Sequence, residues 1–265
     1  MWSDVYQGKH GKMLSILASA ILVLPSCVPT KEQEKTIVSL PSVSVCAKNI
    51  LFIGDSYSAS VFGSTLTTMM EQKIPGSRVT AIASCGSASG WWLSGRATPC
   101  GFWQHHDNGS EENRRHSNTP KIDELIQSLH PATIVVALGA NLIPQKPIDR
   151  LVESAILMQS VTSHQRQCFW IGPPDARKFS AHQREEVYHM LSQLANGYGC
   201  HLIDSRDYTH YPATGRDGLH YSGKDGEAIA RDWAVQVFKH NLQKEILAYQ
   251  RAGSMSCALD SLDRP

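Results

Sequence analysis

Five short, continuous apolar runs constrain this chain more than any other feature: Asn49–Ile53, Arg78–Ala83, Thr133–Leu138, Cys168–Ile171 and His201–Ile203. A strand with one wet face alternates apolar and polar residues, whereas one that is apolar throughout is buried on both faces, as in a parallel sheet covered by helices. Between the runs the spacing becomes helical, over about Ala59–Gln72, Pro120–Leu129, Ile148–His164 and Ser180–Asn196, and a last helix runs from about Gly223 to Gln243. Ser222 followed by Asp225 gives that helix a capping-box-like start. Strands alternating with helices predict an α/β chain with a five-stranded parallel sheet. At 265 residues the chain suits one such domain.

In open parallel sheets, ligands collect at the loops that follow the C-terminal strand ends. Gly54-Asp55-Ser56 follows the first run, Gly86 the second, Gly139-Ala140-Asn141 the third, and Asp217-Gly218-Leu219-His220 lies beyond the fifth. A serine hydroxyl is a poor nucleophile until a base takes its proton, and the base needs a third group to fix its tautomer. Ser56, His220 and Asp217 are those three residues, Asp217 being three positions before His220 on one turn. Ser56 is expected where strand turns into helix, with Gly54 permitting a tight turn and the helix start turning amides toward developing negative charge. The oxyanion donors are the Ser56 and Gly86 backbone amides and the Asn141 side chain. Small residues at Gly139 and Ala140 let Asn141 turn inward, while Gly90 and Gly95 compete with Gly86 for its role.

The connection from Ser84 to Asn118 is far longer than the usual ~4–6 residues and so carries function. Its Trp91, Trp92 and Trp103 are candidate substrate-binding residues, able to stack on sugar rings or line an acyl pocket; the competing reading packs them as a mini-core. His105, His106, Asp107 and His116 match no common metal-site spacing, and no metal is expected.

Lys9 and Lys12 precede an apolar run, Met13–Leu24, that is too short to span a bilayer, which takes ~20 residues, but suits an export signal. Leu24-Pro25-Ser26-Cys27 resembles a bacterial lipobox, which would make Cys27 a lipidated N-terminus. The chain thus divides into a signal segment (1–27), a surface tether (28–45) and one domain (46–265). Six further cysteines in an exported chain suggest disulfides among fifteen possible pairings. Their placement favours Cys168–Cys200 at neighbouring strand starts, Cys85–Cys100 bracketing one loop, and Cys46–Cys257 outside the first strand and last helix; buried free thiols are the alternative. With 25 Lys and Arg against 24 Asp and Glu, charge gives no case for nucleic acid, and a membrane enters only through the lipid.

The ordered set Gly54-Asp55-Ser56, Gly86, Gly139-x-Asn141 and Asp217-x-x-His220 resembles the four blocks of the SGNH (GDSL) hydrolase superfamily, over about Asn49 to Phe238. Tyr57 and Leu142 depart from residues common there, and neither position is required by the chemistry above. The resemblance implies a three-layer flavodoxin-like fold and esterase, lipase, thioesterase or carbohydrate O-deacetylase activity with no metal or cofactor. The expectation is an exported serine esterase of the bacterial envelope that removes O-acetyl groups from a polysaccharide. A lysophospholipase or thioesterase, an O-acetyltransferase, and a catalytically silent binding module on the same scaffold are the rival readings.

Overall fold

The strand β1 (Asn49–Gly54) runs through the middle of the molecule, and its side chains divide the core in two. Ile50 and Phe52 face one side and Leu51 and Ile53 the other, all four buried, which is the physical content of an uninterrupted apolar run. The structure, a computed structural model, describes residues 48–262, with side chains to 253. The expected signal segment, Cys27, the tether and the Cys46–Cys257 bridge fall outside what is described.

After β1 come α1 (Val61–Lys73), β2 (Arg78–Ser84), α2 (Ser89–Ser94), β3 (Ala97–Thr98), β4 (Phe102–His105), β5 (Glu111–Arg114) and β6 (Ser117–Asn118). Then follow α3 (Ile122–Leu129), β7 (Thr133–Ala137), α4 (Pro147–Thr162), β8 (Gln167–Ile171), α5 (Ala181–Tyr198), β9 (His201–Ile203), α6 (Gly223–Val237) and α7 (Gln243–Leu262). The main sheet has the order β5-β4-β2-β1-β7-β8-β9, and β3 and β6 form a separate two-stranded ribbon. The five expected strands are present and pair in parallel.

The expected five-stranded sheet is corrected to seven strands, because β4 and β5 extend it antiparallel beyond β2. Both lie in the long connection after Ser84, which is therefore folded onto the sheet edge. Within the parallel part, β2 precedes β1 and β7 follows it, the flavodoxin-like order whose topological switch point lies between β1 and β7.

On one face α1 and α6 cover the sheet, with Phe62 stacked on Trp233 at 3.6 Å between ring centroids. On the other, Trp92, Leu157, Met158, Val187 and Leu191 come from α2, α4 and α5. The bridges Cys85–Cys100 and Cys168–Cys200 are formed. Ser222 precedes α6 but caps nothing with its side chain; its Oγ accepts from Arg216 instead. The capping box is at α5, where Ser180 Oγ accepts from the Gln183 amide and Gln183 Oε1 from the Ser180 amide. Past α6 the helix continues through a π-helical turn, Phe238–Leu242, into α7, well beyond the expected end at Gln243. Among the described residues, no helix is long and apolar enough to cross a membrane.

Candidate active site

Ser56 sits in the turn that leaves β1, not at the start of a helix as expected, since α1 begins at Val61 behind the N-cap Ser60. The turn is closed by the Ala59 amide donating to the Asp55 carbonyl (3.1 Å) and by the Tyr57 amide donating to Asp55 Oδ1 (3.0 Å). Gly54 is needed there for close approach rather than for an unusual backbone angle: a Cβ at that position would stand 1.9 Å from Ser58 Oγ.

Ser56 Oγ lies 3.1 Å from His220 Nε2, and His220 Nδ1 lies 2.6 Å from Asp217 Oδ2. Asp217 Oδ1 accepts from the Leu219 (2.9 Å) and His220 (2.8 Å) amides, so one carboxylate closes the turn and orients the ring. Partial burial opposes its ionisation, but the His220 ring and the two amides outweigh it and hold Asp217 well below the ordinary carboxylate range. With Asp217 ionised, Nδ1 carries the proton and Nε2 is free to accept one from Ser56.

Two tyrosines that sequence reasoning did not select hold these turns together. Tyr57 OH donates to the Leu219 carbonyl (2.9 Å), tying the serine turn to the histidine turn across 162 positions of sequence. Its ring also packs against His220, Tyr221 and Trp233. Tyr211 OH accepts from the Gly218 amide (3.1 Å) and faces Asp217 Oδ1 (3.3 Å) and the His220 carbonyl (3.2 Å) as acceptors.

Asn141 lies in a 3-10 turn after β7 and spans the two sides of the switch point. Its Nδ2 donates to Asp55 Oδ2 (3.2 Å) and to the Ser87 carbonyl (3.1 Å). Asp55 is fully buried, and that burial pushes its carboxyl up to about 7, against the pull of the Tyr57 amide, His220 and Asn141. Gly86 follows β2 at φ +80°, where a side chain is strained, beneath the Trp91 ring and beside Cys100 Sγ. The Ser56 and Gly86 amides have no acceptor among the described residues.

The three tryptophans separate. Trp92 is fully buried in the core, with its N–H donated to Ser87 Oγ, so the expectation that it touches a ligand is corrected: no surface of it is available. Trp91 is half-buried beneath the Arg96 guanidinium. Trp103 is largely buried, but together with Ser56, Phe102, Asn113, Arg114, Arg115 and the Cys85–Cys100 bridge it lines an open cavity of about 480 Å³.

Among the described residues, no group of His, Cys, Asp and Glu is arranged to hold a metal ion. His105 is instead set between Glu71 (2.7 Å) and Glu111 (3.3 Å), and His106 against Glu112 (3.2 Å).

No family model matches the sequence, and no curated protein matches it. Solved structures do. TesA superposes with a TM-score of 0.55 at 16% identity, over 75% of this chain and 99% of that one. A DUF4886 family protein from Bacteroides uniformis gives a TM-score of 0.48 at 14% identity, covering 79% and 94%. An acetylxylan esterase, Axe2, from Geobacillus stearothermophilus gives 0.46 at 12% identity, covering 73% and 95%. At such identities the likeness concerns the fold. By fold, the chain is a three-layer α/β protein like TesA, and two antiparallel strands lie at one edge of its parallel sheet.

Proposed function

We propose that this protein is a serine esterase that removes O-acetyl groups from a glycan through an acyl-enzyme on Ser56. The observation that carries the reading is the chain of contacts Ser56 Oγ–His220 Nε2 (3.1 Å) and His220 Nδ1–Asp217 Oδ2 (2.6 Å) beside an open cavity. His220 takes the Ser56 proton as Oγ attacks the ester carbonyl, and Asp217 stabilises the imidazolium that results. The oxyanion is met by the Ser56 and Gly86 amides, which have no other acceptor among the described residues. Asn141 adds a third donor when one hydrogen of Nδ2 is drawn from the Ser87 carbonyl or Asp55 toward the new charge. His220 then protonates the departing alcohol. Water, activated by the same ring, releases acetate and restores Ser56.

A small acyl group suits this cavity because its apolar wall is short, being Phe102, Trp103 and the disulfide, while Asn113, Arg114 and Arg115 supply polar groups for the alcohol half. The bridges Cys85–Cys100 and Cys168–Cys200 support an oxidising location, in keeping with export to the envelope and, through Cys27, a lipid anchor. The test is acetate release from O-acetylated glycans beside short- and long-chain p-nitrophenyl esters, with Ser56→Ala as control. Ser56-dependent acetate release is the expected result. A preference for long acyl chains would overturn the deacetylase reading, and silence on every ester would overturn the esterase reading itself.

A further inference from the structure

The cavity beside Ser56 has a one-sided charge. Arg114 and Arg115 line it, no carboxylate does, and the two cations are held differently. Arg114, at the end of β5, pairs with Glu112 and lies over the Phe102 ring, 5.8 Å from its centroid, so its charge is partly spent within the protein. Arg115 stands in the bend between β5 and β6, exposed, with no ion-pair or hydrogen-bond partner among the described residues. The bend is rigidly placed. β5 pairs with β4, whose Phe102 registers with Arg114, and β4 pairs with β2, whose Ser84 registers with Phe102. Thr119, just past β6, is held through Ser84 Oγ at 2.7 Å and through its amide to the Arg96 carbonyl at 3.0 Å. A guanidinium held at the mouth of a cavity without a protein anion leaves its fork of donors for a ligand, and that fork matches a carboxylate.

We propose that the substrate is an ester of an acidic glycan, and that Arg115 binds a sugar carboxylate on the alcohol side of the ester attacked by Ser56. Arg114 adds to the local positive potential, while Trp103 and Phe102 provide the wall against which the sugar ring lies. The inference rests on the esterase reading, whose acyl and alcohol halves it places. The tether of Arg115 to the sheet edge makes it a specificity-determining residue rather than a general attractor of anions.

Two measurements test it. In the first, Ser56→Ala protein is titrated by tryptophan fluorescence with an O-acetylated galacturonic acid oligosaccharide and with an O-acetylated xylo-oligosaccharide of equal length. The acidic ligand should bind more tightly, weaken as salt is raised, and lose about tenfold in affinity on Arg115→Gln, the worth of roughly 1.4 kcal/mol. In the second, the ratio of kcat/KM for acidic over neutral substrate is compared between the unmodified protein, Arg115→Gln and Arg115→Glu. The ratio should fall about tenfold in the first variant and further in the second, chiefly through KM. Equal affinity for the two oligosaccharides, or an Arg115→Gln loss of equal size on both, would overturn the proposal. If acidic ligand binds in an Arg115-dependent way but no ester yields acetate, the esterase reading falls and the anion site stands.

Discussion

At the scale of single residues, the site has two carboxylates with opposite electrostatic fates. Asp217 is near the surface and held ionised by its hydrogen bonds, whereas Asp55 is buried and pushed up to about 7. Between an unfolded value of 3.8 and that folded one, the native protein keeps a proton that the unfolded chain has released. Stability from Asp55 is therefore complete below pH ~4 and is lost as pH rises through about 7; Asp217 acts in the other sense, its contribution vanishing only in strong acid. Urea midpoints should decline between mildly acidic and mildly basic pH, and Asp55→Asn should flatten that decline; an unaltered slope would remove Asp55 as its source. For activity, Ser56→Ala should abolish turnover and His220→Ala should be nearly as severe, because such groups act as a unit. Asn141→Ala should lower kcat by roughly 10²–10³ with KM little changed, as loss of an oxyanion donor does. Tyr57→Phe and Tyr211→Phe should each cost up to about tenfold in kcat, on the order of one hydrogen bond, with KM held; a change confined to KM would deny them a positioning role.

Among the elements, what was readable in the sequence and what was not divide along the length and purity of the apolar runs. The five parallel strands announced themselves because their interiors are buried on both faces and so largely apolar, β9 at the sheet edge being the weakest of them. β4 and β5 did not. Phe-Trp-Gln-His in β4 is largely buried but too short and mixed to read as an apolar run, and Glu-Glu-Asn-Arg in β5 is the exposed edge, where charge protects against pairing with another chain. Ser180 with Gln183 carries the full capping-box signature, whereas Ser222 is followed by Asp225 and has its Oγ accepting from Arg216, so it caps nothing. The bridge Cys168–Cys200 joins the start of β8 to the residue before β9 across 32 positions, and replacing both cysteines by serine should cost about 3–4 kcal/mol, read as a lower urea midpoint at unchanged activity per folded molecule. Activity lost out of proportion to the folded fraction would place that bridge in the function of the site.

For the whole molecule, four segments scattered over most of the chain meet near one switch point, a juxtaposition that their residue types had led us to expect. Ser56, Asn141, Asp217 and His220 stand out in the sequence because few residue types can supply a nucleophile, an oxyanion donor, an orienting carboxylate and a base. Of the cavity wall, Trp103 and the Cys85–Cys100 bridge are readable in the sequence, whereas Phe102 and Asn113 are not, because an antiparallel register places them there. One consequence follows from the Cys85–Cys100 bridge. It brackets Gly86, forms part of the cavity surface and joins the end of β2 to the start of β4. A chain kept reduced still holds Ser56, His220 and Asp217 but lacks the crosslink that forms part of the cavity wall beside Ser56. Protein refolded with its thiols blocked should therefore keep its parallel core yet turn over a test ester more slowly, and closing that one bond should restore the rate.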